Sequence, residues 1–366
     1  MFVSSPIWSG DSPTPSCHAA TVADLGTGYV LAAWFGGAHE GHPDVAIWLS
    51  RYDGARWSAP VRVADEPGVP LWNPVLFRDA ADILWLFYKA GPTVPAWSGL
   101  YRQSRDAGRT WSAPTLLPAG LIGPAKNKPI TLSNGDILCG ASAETWRNWT
   151  AWAEISADGG RSWTRHGPIT APADAGRGDP WRSPDVAPTL ARAEIARPAV
   201  PGAGQSELVS ATWDAASGQL RLPQEHRGVI QPAVWEYAPG RVKMLLRATR
   251  AVGAVCVAES NDFGRTWSPA RPLAIPHANS GLDAVRLTDG RIVLACNPTH
   301  EGRSPLALLI SDDNGETWPR RRDLETAAGE FSYPSVIQAA DGRLHVVYTH
   351  RRTHIQHVIV DADELA

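Results

Sequence analysis

Six stretches of the chain share one pattern: an apolar run alternating with small or polar residues, a short turn, and a second apolar run. They read Ala19–Trp34, Asn73–Tyr88, Pro129–Cys139, Gln231–Arg247, Gly281–Cys296 and Tyr333–Tyr348. Alternation with a period of two marks strands that bury one face, so each stretch predicts a β-hairpin. No long stretch carries a helical period.

Behind most of these hairpins stands a polar octet, Ser-x-Asp-x-Gly-x-x-Trp. It occurs at Ser104–Trp111, Ser156–Trp163, Ser260–Trp267 and Ser311–Trp318, with a worn copy at Ser50–Trp57. The residue types suit a tight turn: a short polar side chain folds back on the backbone, Gly takes φ > 0, and Trp pins the loop to the sheet. The serines fall at 50, 104, 156, 260 and 311, so one interval of 104 is twice the others. A repeating unit of about fifty residues with four short strands is a propeller blade. Six hairpin modules therefore predict an all-β, six-bladed β-propeller, a single domain over 1–366.

The doubled interval leaves about 168–227 unaccounted for. This Pro/Gly-rich stretch contains a hairpin pattern at Leu208–Leu222 and is expected as an insertion or a degenerate seventh blade. Six blades with an inserted lobe are favoured, because a further blade between the third and fourth modules would disturb the convergence of the candidate site residues.

Composition adds little but excludes several classes. The 33 Gly and 31 Pro supply turns, and 17 Trp suit turn pins and sugar-stacking faces. A formal net charge of −3 without Lys/Arg runs gives no reason to expect nucleic acid. No apolar run reaches membrane-spanning length, and the segment from Met1 to Pro6 lacks the pattern of a signal peptide, so a cytoplasmic protein without a membrane partner is expected. Cys17, Cys139, Cys256 and Cys296 show no CxxC pairing and are read as reduced core residues.

The octets resemble the Asp boxes of the sialidase (neuraminidase) superfamily, and the order of modules is similar to that family from residue 18 to about 350. Asp boxes support the fold more than an activity, because propellers with other chemistry also carry them. The resemblance implies an arginine triad for a substrate carboxylate, a Tyr nucleophile activated by a Glu, and an acid/base Asp. Tyr333, nine residues before Gly342, matches the nucleophile. Arg247, seven after Gly240, and Arg303, eight before Ser311, match the second and third arginines. Three positions depart from the pattern. His18 stands where the first arginine belongs, Gln231 replaces the activating Glu, and Thr349 follows Tyr348 where the family carries a Glu that anchors the first arginine. A pocket with two arginines is the expectation.

Tyrosine has an ordinary pKa near 10 and needs a base or a positive field to react at neutral pH. Lys126 and Lys128, read as alternate residues of one strand, could supply such a field with the arginines, and His18 could move a proton. The loop carrying His39, Glu40, His42 and Asp44 corresponds to the one that bears the family's catalytic Asp. Glu40 is the acid/base candidate, tuned by its neighbouring histidines; a solvated turn capped by Asp44 is the plain alternative. A metal site at His39, His42 and Asp44 lacks a fourth ligand at useful spacing, so neither metal nor cofactor is expected. Glu144 and Asp283 fall near pocket-forming turns, with nothing in their spacing to single them out.

These residues favour an exo-glycosidase acting on an acidic sugar, sialic or uronic. A uronate-directed lyase using Tyr333 and His18, with arginine neutralising the carboxylate, is the second reading. A non-catalytic glycan-binding propeller is the third. The sequence leaves the oligomeric state open.

Overall fold

The computed structural model describes residues 2–8, 10–26, 28–145, 148–171 and 227–365, together with strand segments at 192–194, 210–214 and 219–221. Six antiparallel four-stranded sheets stand as blades around one axis. Blade 1 runs Ser16–Gly26, Tyr29–Gly37, Ala46–Tyr52 and Val61–Ala64 from inner to outer strand. Blade 2 follows with Leu71–Arg78, Leu84–Ala90, Ser98–Ser104 and Thr115–Leu116, and blade 3 with Ile130–Thr131, Ile137–Glu144, Trp149–Ser156 and Thr164–Ile169. Blade 4 holds Val229–Ala238, Arg241–Ala248, Ala254–Ser260 and Arg271–Pro276, and blade 5 holds Asp283–Arg286, Ile292–Cys296, Leu306–Ser311 and Arg320–Glu325. Blade 6 is made of Phe331–Gln338, Leu344–His350 and His354–Val360, and takes its outer strand, Phe2–Pro6, from the other end of the sequence.

Blades 3 and 4 touch directly. The Gln231 N–H donates to Ser142 Oγ (2.8 Å), and Ser133 donates from its N–H and hydroxyl to the Glu236 carboxylate (2.6 and 2.9 Å). No seventh blade stands between them, and the propeller is six-bladed. Arg192–Glu194, Ser210–Asp214 and Gln219–Arg221 form a separate three-stranded antiparallel sheet. The remainder of 172–226 lies outside the described residues. Among the described residues no helix is long and apolar enough to cross a membrane, and all four cysteines are buried and unpaired.

The core lies between blades. Leu31 and Ile47 pack on Leu76 and Leu86, Leu138 and Ile155 on Val242 and Met244, Val293 and Leu308 on Val346 and Val358. Each such burial is worth about 1.5–3 kcal/mol, so inter-blade contact dominates the stability.

The octets add a polar lock at the four seams between blades 1 and 5. Ser104 Oγ donates to Asp106 Oδ1 (2.7 Å) and accepts from Gly108 N (2.7 Å), while Asp106 accepts from both the N–H and the hydroxyl of Thr110 (2.8 and 2.7 Å). The same bonds recur at Ser156, Ser260 and Ser311. In the worn copy Asp53 comes one residue later, and Ser50 donates instead to Ser58 O (2.6 Å). The octet glycines lie against the preceding blade: Gly108 on Leu31, Gly160 on Trp85, Gly264 on Leu138, Gly315 on Trp235. At Gly160, where φ is +87°, a Cβ would sit inside the Trp85 ring contact. Gly160→Ala therefore combines left-handed strain with overpacking and is expected to lower the unfolding free energy by about 2–4 kcal/mol, read from urea melts.

The seam between blades 6 and 1 holds a buried histidine pair. Trp57 Nε1 can only donate, and it donates to His357 Nδ1 (3.1 Å), so the His357 proton sits on Nε2 and is donated to His345 Nδ1 (3.0 Å). Burial holds both rings neutral, His345 at about 4 and His357 at about 3, with Arg343 adding to the effect and Asp341 and Asp24 opposing it at His345. A histidine depressed from 6.5 contributes stability that is complete above that pH and lost as pH falls towards the folded value. Between pH 6.5 and 4 the cost approaches about 1.4 kcal/mol per pH unit per histidine. Urea midpoints should fall from pH 7 to pH 5, and less steeply in His357→Phe.

Candidate active site at the propeller axis

One register recurs in every blade. Ala19, Asn73, Lys126, Gln231, Gly281 and Tyr333 each stand nine residues before a turn residue with positive φ, respectively Gly28, Asp82, Gly135, Gly240, Gly290 and Gly342. In blades 1, 2, 4 and 6 the inner strand bulges at this point, and the register residue is itself left-handed: φ is 55° at Ala19, 36° at Asn73, 52° at Gln231 and 53° at Tyr333. A bulge re-aims one side chain and ends local pairing. Left-handed non-glycine residues cost free energy and concentrate at functional sites.

Tyr333 occupies the blade 6 position. Its ring lies over Gly281 of blade 5, where a Cβ would come within 3.0 Å, and beside the His18 ring at 4.2 Å between centroids. Its hydroxyl accepts from Arg247 Nη1 at 2.6 Å, and the guanidinium groups of Arg247 and Arg303 lie 5.7 and 5.5 Å from its ring centre. Arg247 is fixed from two other sides, donating from Nε to Asn279 Oδ1 (2.8 Å) and from Nη1 to Gln231 Oε1 (3.2 Å). Arg303 Nη1 donates to Glu330 Oε1 (2.7 Å) and Ser332 Oγ (3.2 Å). The structure thus brings together Tyr333, Arg247, Gln231, His18 and Arg303.

A third guanidinium stands beside them, and sequence reasoning missed it. Arg352 donates from Nε to Glu330 (3.0 Å) and from Nη1 to Glu40 Oε2 (2.6 Å), while its buried Nη2 has no hydrogen-bond partner. Arg352, from the last hairpin of blade 6, thus stands with Arg247 and Arg303 around His18, where two arginines were expected. Two signals pointed there: the Arg351-Arg352 doublet in a tight turn, and Glu330 three residues before Tyr333. Both arginines are left-handed, with φ of 51° and 59°, a conformation that bulky side chains rarely hold without a reason.

Glu40, expected as the acid/base, is instead the ion-pair partner of Arg352. His39, His42 and Asp44 remain at the surface: the His39 and His42 rings lie 5.1 Å apart, and Asp44 pairs with His42 (2.7 Å) and accepts from Ala38 N (3.0 Å), as a turn cap does. Among the described residues no cluster of His, Cys, Asp or Glu could hold a metal ion.

His18 is 1% exposed, and its pKa is pushed well below 6.5 by burial and by Arg352, Arg303, Arg247 and Lys126. It is a neutral ring in a field of cations, suited to accept a hydrogen bond rather than carry charge. Residues 126–128 do not form the expected strand, because the flanking Pro124 and Pro129 break strand pairing, and the two lysines serve as bolts. Lys126 reaches from blade 3 across the axis to the carbonyls of Leu282 (3.0 Å) and Pro334, and burial lowers its pKa to about 7. Lys128 pairs with Asp283 (2.8 Å), which also accepts from Val336 N (2.9 Å). Thr349 Oγ1 accepts from Ala19 N (3.1 Å), filling its position with a backbone bond.

The six-bladed fold is shared with solved structures that include sialidases. Hadza microbial sialidase Hz136 superposes with a TM-score of 0.70 at 16% identity, over 96% of this chain and 66% of that one. NanB sialidase from Streptococcus pneumoniae does so at 0.70 and 14%, over 98% and 71%, and a protein of unknown function from Dyadobacter fermentans at 0.70 and 17%, over 97% of both. This chain thus spans just under two thirds of the length of Hz136. At these identities the likeness speaks for the fold. No curated protein matches the sequence. The BNR repeat-like domain profile matches residues 28–346, and the chain belongs to that family.

Gly281 is the position where the Tyr333 ring needs empty space. Gly281→Ala should shift the ring off Arg247 and lower stability by about 1–3 kcal/mol, checked by a crystal structure of the variant and a urea melt.

Proposed function

We propose that this propeller is a glycosidase of sialidase type that acts on an acidic sugar held by its carboxylate at Arg247, Arg303 and Arg352. The observation that carries this reading is the set of three guanidinium groups gathered around Tyr333 and His18, one of them with a buried, unpartnered Nη2. Guanidinium forks match carboxylates in geometry and charge.

Tyr333 is 1% exposed, with Arg247 on its hydroxyl. A ligand carboxylate that draws Arg247 towards itself releases that hydroxyl to attack the anomeric carbon; the bond from that carbon to the aglycone oxygen breaks, and the phenol proton ends on the departing oxygen. Gln231, bonded to Arg247, orients the guanidinium and cannot serve as the base a Glu would provide.

The neutral His18 ring packed on Tyr333 supports a second reading, a uronate lyase. There the arginines neutralise the carboxylate, Tyr333 or His18 removes the proton on the adjacent carbon, and the C–O bond on the next carbon breaks, leaving a double bond and a departing oxygen that takes up a proton.

Fluorogenic sialosides and uronides test the first reading, and ultraviolet absorbance of a newly formed conjugated double bond tests the second. Tyr333→Phe should abolish hydrolytic turnover and leave ligand binding. Arg352→Met should weaken binding of the acidic sugar about 10-fold or more, one charged hydrogen bond being worth about 1.5–3 kcal/mol, and leave neutral sugars unaffected. Binding without turnover in the wild type would make the protein a glycan-binding propeller instead.

A further inference from the structure

Two further buried polar groups lie under the charge of Arg247. Glu144 ends the second strand of blade 3, and its Oε1 is buried without a hydrogen bond. Across the strand pair stands Trp149, whose ring lies 5.5 Å from the Arg247 guanidinium. The neighbouring Ser142 hydroxyl accepts from Gln231 N, which ties this strand end to the residue that orients Arg247. His277 of the loop before blade 5 is 0% exposed, with both ring nitrogens buried. A buried polar atom without a partner is uncommon and calls for a role.

We propose that Glu144 is the proton-carrying carboxyl of the site, taking up a proton when an anion binds at Arg247 and then presenting a neutral acid to the bound ligand. This deepens the proposed function and rests on its reading of the arginine cluster as a carboxylate site.

The charged groups around Glu144 allow this. Its ionised form is supported by Arg247 and by Lys89, the latter fully buried at the end of the second strand of blade 2 with its ammonium on the carbonyls of Asn73 (3.3 Å) and Pro124. Burial works the other way and lifts the carboxyl to about 7, against Arg247, Lys89 and the Ser142 hydroxyl. An incoming anion cancels much of the Arg247 field. The carboxylate loses a supporting charge and gains a like-charged neighbour, and both effects raise its proton affinity. His277, lowered to about 3 by burial and by Arg247, stays neutral throughout. Lys126, at about 7, also gains a proton when an anion arrives, so the two contributions have to be separated.

Infrared difference titration, wild type minus Glu144→Gln, isolates the protonated Glu144 carboxyl band. Sulfate serves as a minimal anion without a carboxyl of its own. The band should titrate near neutrality in the free protein, and its midpoint should rise by about one pH unit or more with saturating sulfate, in the wild type and in Lys126→Met alike. A midpoint that stays in place with sulfate, or a band already titrating in the ordinary carboxylate range, overturns the proposal. Calorimetry with sialic acid and glucuronate in buffers of different ionisation enthalpy adds a second reading: Glu144→Gln should lose part of the proton uptake and bind severalfold more tightly than wild type above pH 8. A variant that binds more weakly at every pH would make Glu144 a ligand-holding carboxylate and overturn the proposal. If sulfate shifts the midpoint while neither sugar binds, the acidic-sugar reading fails and the linkage at Arg247 stands.

Discussion

Six blades around one axis leave space at the centre for about one side chain from each, and the register of the inner strand decides which. Nine residues separate that side chain from the turn residue with positive φ in all six blades. The centre therefore receives Ala19, Asn73, Lys126, Gln231, Gly281 and Tyr333, two of them too small to fill their share. The voids at Ala19 and Gly281 are taken by what stands beside them, the His18 ring and the Tyr333 ring. A repeating scaffold thereby acquires a directional site: Tyr333 stands between the two small positions, and the polar residues Asn73, Lys126 and Gln231 stand opposite. Four bulges bear the conformational cost, and inter-blade burial holds them in place.

Much of the fold was legible in the sequence because its determinants are local. A Ser, an Asp and a Gly within five residues complete their own hydrogen bonds, so the octets declare themselves wherever they fall. Tyr333 and Gln231 were found by the same means, since their distance to a turn glycine is a short-range property. Arg352 was not, because its meaning depends on Glu40, 312 residues away, and on Glu330, 22 residues away. Glu40 was assigned to proton transfer on its flanking histidines, whereas the fold turns it from them to an arginine that no spacing rule connects to it. The lysines misled for a related reason. Alternate residues share a face only inside a strand, and two prolines prevent a strand from forming at 126–128.

The network at Glu330 shows how the site holds its charges apart. Glu330 bridges Arg303 and Arg352, and Glu40 closes on the other edge of Arg352, so two guanidinium groups share two carboxylates. Arg247 has no carboxylate among its hydrogen-bond partners and is held by amide oxygens and a phenol. Its charge bears on both Tyr333 and Glu144.

The strand that completes blade 6 has a consequence for the order of assembly. Ser4 meets Gln356 at a sequence separation of 352, so the strand Phe2–Pro6 remains without its ladder until the last hairpin of blade 6 is made. Blades 1 to 5 can each form from contiguous sequence as they are synthesised, while closure of the ring is a late event of high contact order. During that interval the free edge of His354–Val360 and the unpaired strand Phe2–Pro6 are open to pairing with another copy, and exchange of this one strand between molecules is the misassembly the topology invites.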